Sequence, residues 1–343
     1  MSRSIAIFGS SGYAGGELIR LIDSHPDFAI AYLGAHSAAG KNLGAVHPHL
    51  RGGDRALGPN DAATAPHVDL AFLALPHGAS AEPAMTLLER GVTVVDIGSD
   101  FRLDTPDRYL SAYGVEHPYP EQLGQWAYGL PEVNRAAIVA TDRVATAGCY
   151  PTSAILPLAP VLAAGLVEPT GIIVDSMSGV SGAGRGVHPD LHFGAVDESV
   201  KAYKVLTHRH RPEMERALDQ VSADPVQLIF TPHLVPMQRG ILSTVYAQAA
   251  PGASLDDIVG ALEAAYRDEP FVSLVEGSPE TRWVTGSNRA LISAHFEERS
   301  GTVVLISAID NLVKGAAGQA VQVANLMLGV DETVGLPMEG WMP

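Results

Sequence analysis

The sequence predicts an α/β protein of two domains, of which the first is a doubly wound, mostly parallel sheet. Its 343 residues are enough for about two domains of roughly 150 residues each. The first apolar segments alternate with helical stretches, as they do in β-α-β units. These segments are near-continuous apolar runs, which is typical of parallel strands that are covered on both faces.

The elements of the first domain follow from these runs. The first strand ends at Gly9, a helical segment extends from about 15 to 24, and a second strand comes next. The predicted strands are 4–9, 28–34, 68–75, 92–97 and 144–147. We therefore interpret the first 148 residues as one doubly wound domain.

The pattern changes after Cys149. Several of the later candidate strands alternate between apolar and polar residues, which favours a mixed or antiparallel sheet. Ser254, with Asp257 three residues later, predicts a capped helix that runs to about residue 268. A helical pattern at 312–328 suits a helix that packs back on the first domain. The candidate strands are 171–177, 226–230, 240–248 and 302–309, and the expected domains are 1–148 plus 313–343, and 149–312.

The composition excludes several classes of protein. The 22 Lys and Arg against 38 Asp and Glu give a formal charge of −16, so binding to nucleic acid or to an acidic membrane surface is not expected. The uncharged stretch at 144–167 is interrupted by three prolines, which favours a buried strand and helix over a membrane span. A single cysteine forms no internal disulfide and no metal cluster. Because there is also no export signal, we expect a cytoplasmic protein without a metal site.

A glycine-rich turn follows the first strand and leads into a helix. Its Gly-x-x-Gly-x-x-Gly spacing allows the backbone to approach a pyrophosphate, while the helix N-terminus supplies N–H groups. An ordinary tight turn is the alternative, but the position between strand and helix favours a dinucleotide in a Rossmann-type domain. The candidate cofactor-binding residues are Gly9, Ser11, Gly12, Tyr13, Ala14 and Gly15.

The residues after the second strand indicate the type of cofactor. Enzymes selective for NAD usually place a carboxylate there, on the ribose 2′-hydroxyl. In this chain no Asp or Glu stands at that point, whereas Ser37 and Lys41 suit a 2′-phosphate. The sequence therefore favours NADP, and a solvated polar loop is the alternative.

Cys149 is the candidate nucleophile. It follows the strand at 144–147 and precedes Pro151, which suits the first turn of a helix. A thiol at a helix N-terminus has its thiolate form favoured by the helix dipole. A buried, inert thiol is the alternative.

Two histidines are the candidate partners of this thiol. His208 and His210 are two residues apart, so in an extended segment they point to the same side, just before a helix that Pro212 starts. Glu213, in the first turn, could orient one of them. Surface or core histidines are the alternative.

Two further segments suit anions. The glycine-rich loop at 176–185 combines hydroxyls with Arg185, which suits a carboxylate or a phosphate. Arg102 follows the strand at 92–97 and is a phosphate candidate, with a surface ion pair to Asp100 as the alternative. The candidate substrate-binding residues are Arg102, Ser178, Gly179, Arg185 and His188.

Eight motifs, taken together and in order, resemble the N-acetyl-γ-glutamyl-phosphate reductase family nearly from end to end. They are 9–18, 75–78, 128–132, 148–152, 178–185, 208–210, 233–237 and 310–320. The resemblance implies a glyceraldehyde-3-phosphate-dehydrogenase-like fold, with an α+β catalytic and dimerisation domain at 149–312 and the C-terminal helix on the nucleotide domain. It also implies NADP(H) as cofactor and a homodimer or homotetramer.

Site residues follow from the resemblance position by position. Cys149 matches the nucleophile and His208 the acid/base, with His210 and Glu213 in support. The candidate cofactor contacts that lie in matching motifs are Pro76, His77 and Asn311. Which of the two histidines is the main proton donor stays open.

The activity implied is the NADPH-dependent reduction of an acyl phosphate, N-acetyl-γ-glutamyl phosphate, to its semialdehyde in arginine biosynthesis, through a thioester on Cys149. A related reductase of aspartyl phosphate or of carrier-linked aminoadipyl phosphate is the alternative, although such carriers are acidic and match a chain of charge −16 poorly. A cysteine hydrolase would leave the glycine turn without a purpose. A nucleotide sensor that has lost catalysis would lack the nucleophile or the base.

Overall fold

A seven-stranded parallel sheet organises the N-terminal part of the chain. The structure, a computed structural model, describes residues 2–342. The strands follow in the order β3-β2-β1-β4-β5-β7-β6 across the sheet. They are β1 (Arg3–Phe8), β2 (Phe28–Ala35), β3 (Gly58–Pro59), β4 (Leu70–Leu73), β5 (Thr93–Asp96), β6 (Ala127–Gly129) and β7 (Arg143–Thr146).

The central strands of this sheet are buried on both faces, which is why their sequences are apolar without alternation. Ile5, Ile7, Leu70 and Phe72 all have no exposed surface. The strand order reverses between β1 and β4, so the crevice where ligands bind in such sheets lies beyond the carboxyl ends of these two strands. The helices of this part are α1 (Tyr13–Ile22), α2 (Leu43–Val46), α3 (Ala81–Glu89), α4 (Pro106–Tyr113) and α5 (Pro131–Val139).

A second seven-stranded sheet, of mixed direction, follows. Its order is β12-β13-β14-β11-β8-β10-β9. Its strands are β8 (Ile172–Ser178), β9 (Lys201–Ala202), β10 (Leu228–Leu234), β11 (Ile241–Gln248), β12 (Val272–Leu274), β13 (Ala290–Glu297) and β14 (Thr302–Ile309). The helices are α6 (Cys149–Ala163), α7 (Phe193–Val196), α8 (His210–Leu218), α9 (Leu255–Tyr266) and α10 (Thr281–Val284).

The two faces of the second sheet differ. Helix α6 packs on β11 and β14 and covers one face. On the other face Ile173 lies in register with both Ile229 and Tyr246, and these three side chains are 38%, 47% and 39% exposed. The face that α6 does not cover therefore carries an apolar stripe, in addition to the polar residues that the alternation in the sequence places there.

The expected helix at 312–328 consists of two parts. A π-helix covers Val313–Ala317, and α11 (Gly318–Met327) continues it. Helix α11 packs against α1 and α5.

The chain divides into two compact units. One contains residues 2–110, 114–147 and 316–336, and the other contains 111–113, 148–315 and 337–342. The sequence assigned 1–148 and 313–343 to the first domain, whereas 111–113, 148, 313–315 and 337–342 belong to the second unit. For 337–342 backbone pairing contributes, since the Trp341 N–H donates to the Thr285 carbonyl at 2.8 Å and the Asn288 N–H donates to the Pro337 carbonyl at 2.8 Å.

Within residues 2–342, no helix combines the length and apolar character that crossing a membrane requires. The described part of the chain also holds no group of three His, Cys, Asp or Glu side chains arranged to bind a metal ion.

Candidate active site

Cys149 is the first residue of α6. Gly148 caps this helix with an extended backbone, φ −66° and ψ 160°, and its N–H donates to Glu213 Oε1 at 2.8 Å. Glu213 lies in the first turn of α8 and has no exposed surface. The carboxylate therefore fixes the start of the helix that carries the half-buried thiol, rather than only orienting a histidine.

His208 and His210 lie together at the start of α8. Their ring centroids are 4.8 Å apart, and the His210 backbone N–H donates to His208 Nδ1 at 3.2 Å. The sequence placed both residues before the helix, but α8 begins at His210. Since Nδ1 of His208 accepts a hydrogen bond, the proton of its neutral ring is on Nε2.

Aromatic rings surround His208. The centroids of Tyr150, Tyr203 and Phe230 lie 5.6, 5.7 and 5.2 Å from that of His208. Burial lowers the pKa of His208 to about 4, and the positive charges of Arg209 and Lys204 act in the same direction. His208 is therefore neutral at neutral pH and offers a hydrogen-bond donor, Nε2–H.

The two tyrosines connect the histidines with the thiol. Their hydroxyl oxygens are 2.9 Å apart. Burial raises the pKa of Tyr203 to about 12 and raises that of Tyr150, and the charge of Cys149 contributes to both increases. Both phenols are therefore neutral, and one of the two hydroxyls donates to the other. Sequence reasoning missed them, and the only signal was that Tyr150 follows Cys149.

The glycine turn after β1 is tight. Gly9 has φ +80°, and a Cβ at this position would lie 2.2 Å from the Ala74 carbonyl oxygen. A Cβ at Gly15 would lie 2.3 Å from the Gly9 carbonyl oxygen. Gly12 caps α1 and, as a glycine, brings no side chain of its own to the N–H groups at this end. Glycine at positions 9 and 15 therefore allows the backbone to turn tightly into α1, with Ser11, Tyr13 and Ala14 in and next to the turn.

A loop after β4 lies at the same edge of the sheet. His77 Nδ1 is 3.0 Å from Asp100 Oδ1, and Asp100 accepts hydrogen bonds from the N–H groups of Gly78 at 2.7 Å and Ser80 at 3.0 Å. Burial alone would raise the pKa of Asp100, but these hydrogen bonds lower it to about 2. The buried carboxylate therefore holds the loop that carries His77 and the exposed Pro76.

Comparisons with known proteins identify the family. Residues 4–141 match the semialdehyde dehydrogenase NAD-binding domain, and residues 149–311 match the semialdehyde dehydrogenase dimerisation domain. The chain is 47% identical over 349 residues to N-acetyl-gamma-glutamyl-phosphate reductase of Acidothermus cellulolyticus, with all of both chains covered. It is 44% identical to the same enzyme of Pelotomaculum thermopropionicum, again over the full length of both.

The chain belongs to the N-acetyl-gamma-glutamyl-phosphate reductase family. It is therefore an enzyme, a reductase of the semialdehyde dehydrogenase type, which confirms the resemblance and the predicted class.

Solved structures show the fold that this reductase family shares with other semialdehyde dehydrogenases. Aspartate semialdehyde dehydrogenase II of Vibrio cholerae matches with a TM-score of 0.73 at 18% identity, covering 96% of this chain and 99% of the other. The Candida albicans enzyme, solved with NADP, matches with a TM-score of 0.71 at 15% identity, covering 95% of this chain and 98% of the other. The predicted α/β fold class is confirmed.

The predicted residues Ser37, Lys41 and Arg102 differ in their exposure to solvent. Ser37 and Lys41 are exposed after β2. Arg102 is 6% exposed and its guanidinium donates to the Ile97 carbonyl at 2.8 Å. The alternative of a surface ion pair with Asp100 is wrong, because both residues are buried. Contact of Arg102 with phosphate stays a prediction.

The remaining candidates, in and near the loop after β8, differ in their burial. Ser178 is buried, and a Cβ at Gly179 would lie 2.8 Å from the backbone at 238–239. Arg185 and His188 are exposed. Asn311 accepts a hydrogen bond from the Gly240 N–H at 2.7 Å and donates to Ser181 Oγ at 3.0 Å. Its amide therefore ties this loop to the end of β14, and its contact with a cofactor stays a prediction.

Proposed function

We propose that the protein reduces N-acetyl-γ-glutamyl phosphate with NADPH, giving N-acetylglutamate γ-semialdehyde and phosphate. One observation carries the proposal: in a chain that matches proteins named for this reaction over its whole length, the only cysteine lies at a helix N-terminus near Tyr150 and Tyr203, whose rings pack around neutral His208. A thiol in this setting suits attack on an acyl phosphate.

The residues of the nucleotide-binding unit fit NADP. The turn of Gly9, Gly12 and Gly15 suits a pyrophosphate, because it leads directly into the N-terminus of α1, where backbone N–H groups are available to an anion, and because Gly9 and Gly15 keep it tight. Ser37 and Lys41 would hold the 2′-phosphate. When bound, the nicotinamide supplies the hydride that reduces the thioester carbon.

The first half of the reaction forms the thioester. The Cys149 thiolate attacks the γ-carbonyl carbon, the carbon–sulfur bond forms, and the carbon–oxygen bond to phosphate breaks. Backbone N–H groups in the first turn of α6 would hold the oxyanion, because they point out of the helix N-terminus where the carbonyl oxygen develops charge. Phosphate leaves as the carbonyl re-forms.

The second half releases the aldehyde. His208 Nε2–H donates a hydrogen bond to the carbonyl oxygen and stabilises the negative charge that develops on it as the carbon is reduced. The carbonyl then re-forms from this oxyanion, the carbon–sulfur bond breaks, and the thiolate returns to Cys149. A neutral histidine with its proton on Nε2 suits this donor role, because Nδ1 is already occupied by the His210 N–H.

The test is the reverse reaction, since the acyl phosphate is unstable. We expect NADP reduction that requires both N-acetylglutamate semialdehyde and inorganic phosphate, with much less reduction of NAD. Cys149→Ser should abolish turnover and leave NADPH binding, measured by fluorescence titration, almost unchanged. Loss of NADPH binding in a folded Cys149→Ser protein would contradict this separation of roles.

The same assay separates the alternative substrates. Aspartate semialdehyde replaces the acetylated aldehyde in one arm, and a carrier-linked aminoadipate semialdehyde in another. Faster NADP reduction in either arm would assign the protein to that reaction instead and would leave the cofactor and the thiol chemistry in place.

Two further proposals concern the assembly and its location. We propose a homodimer or homotetramer, because residues 149–311 match a dimerisation domain and the second sheet leaves an apolar stripe uncovered. We also propose a cytoplasmic location, because a catalytic thiol must stay reduced.

A further inference from the structure

Gly315 lies in the π-helix and faces the catalytic cysteine. Its N–H donates to the Asp310 carbonyl at 2.9 Å, five residues back, which is the wide turn that defines a π-helix. π-Helices are rare and occur frequently at functional sites.

The contact between Gly315 and Cys149 leaves no room for a side chain. A Cβ at Gly315 would lie 2.8 Å from Cys149 Cβ and 3.2 Å from Cys149 Cα. Gly315 does not have a left-handed φ, so glycine is required here by space and not by backbone conformation. The Cys149 Cα and Cβ that this side chain would contact cannot move without moving the start of α6.

The π-helix cannot retreat from this contact, because its start is anchored. Asp310 has no exposed surface, and its Oδ1 accepts the N–H groups of Leu312 at 2.8 Å and Val313 at 3.1 Å. Its Oδ2 accepts the Gly286 N–H at 2.7 Å and lies 3.0 Å from Arg239 Nε. Charge-assisted hydrogen bonds of this kind are about twice as strong as neutral ones.

The residue next to Gly315 is also held. Lys314 has no exposed surface, and its amine lies 5.5 Å from the ring centroid of the buried Phe271. Cys149 is thus confined from two directions. Glu213 holds the backbone at Gly148, and the anchored π-helix presses on the Cys149 Cβ.

We propose that Gly315 is a positioning residue for the Cys149 thiol. By bringing bare backbone against the Cys149 Cβ, the π-helix fixes the direction of the thiol relative to the N-terminus of α6 and to the groups around it. The inference deepens the proposed function, since it takes Cys149 as the nucleophile.

The test compares Gly315→Ala with Gly260→Ala. The control adds the same methyl group in the same unit, in helix α9, where a Cβ meets nothing within 4 Å. Because the chain has one cysteine, the rate of iodoacetamide alkylation from about pH 5 to about pH 9 reports on Cys149 alone, without substrate or cofactor. We expect Gly315→Ala to move the midpoint of the alkylation profile to higher pH and to lower kcat roughly 10- to 100-fold. Gly260→Ala should change neither.

An alkylation profile and kcat equal to those of the parent would overturn the proposal, and so would a lower melting temperature with an unchanged profile. If Gly315→Ala does not fold, Cys149→Gly is added to remove the contacting Cβ. Recovery of folding in the double variant supports the contact, and no recovery contradicts it. Because alkylation needs no substrate, failure of the proposed function in the parent protein remains distinct from failure of this inference.

Discussion

His208 links the chemistry of the site to the pH dependence of stability. Its pKa is 6.5 in the unfolded chain and about 4 in the folded protein. Between these two pH values the unfolded state binds a proton that the folded state does not bind, so stability falls as the pH falls through this window and then levels off. The residue therefore destabilises the protein only under acidic conditions.

We expect His208→Gln to weaken this loss. The pKa shift corresponds to a loss of about 3 kcal/mol in the free energy of unfolding between neutral pH and about pH 4. A glutamine does not titrate and cannot contribute this loss. The measurement is urea unfolding of parent and variant at several pH values. Above about pH 7.5 the difference between the two proteins should be constant. An equal loss in both at low pH would rule out His208 as the source.

The sequence predicted some residues of the candidate site and missed others. Cys149 and the glycines of the first turn were found because a local pattern of strand, turn and helix surrounds them. Tyr203 had no such signal, because its place beside His208 depends on where the short strand β9 pairs with β10. A tyrosine in an irregular segment has no periodicity that would indicate its neighbours.

The helices α6 and α8 act together, because a side chain of one holds the backbone of the other. Glu213 of α8 accepts the N–H of Gly148, 65 residues away in the sequence. Neither helix pattern contains this information, so the sequence predicted both elements and not their contact. It also missed strand β13, whose residues alternate too little to be recognised, although it gave the capping box of Ser254 and Asp257 correctly.

Substitutions at Glu213 test this contact. Glu213→Ala should lower the free energy of unfolding by about 1.5 to 3 kcal/mol, because the Gly148 N–H loses its charged acceptor, and it should lower kcat as the start of α6 loosens. Glu213→Gln keeps an oxygen acceptor and should have the smaller effect on both. Chemical denaturation and steady-state kinetics give the two values. If alanine and glutamine behave alike, the hydrogen bond does not hold the helix.

At the scale of the whole molecule, the proposed assembly depends on the uncovered face of the second sheet. Ile173, Ile229 and Tyr246 lie side by side there, and a charge among them would be costly to bury between two copies of the chain.

We expect Ile229→Asp to reduce the assembled mass in sedimentation velocity while the protein stays folded. Val139→Asp is the matched control, because Val139 is 56% exposed on α5, outside the second sheet. An unchanged mass for Ile229→Asp would show that this face is not the interface.

The sequence predicted the boundaries of the two domains only approximately. The return of a C-terminal helix to the first domain was implied by the family resemblance. The last residues gave no such indication, since the contacts that hold them in the second unit, such as the backbone hydrogen bonds at Trp341 and Asn288, have no periodic pattern in the sequence.

The lone thiol of Cys149 also determines how the enzyme would respond to peroxide. Oxidation of a thiolate gives a sulfenic acid, which a second cysteine can protect by forming a disulfide. This chain has no second cysteine, so a disulfide that protects an oxidised Cys149 needs a thiol from solution, such as glutathione. Without one, further oxidation to the sulfinic acid is irreversible, and the arrangement that makes the sulfur reactive also makes the damage permanent.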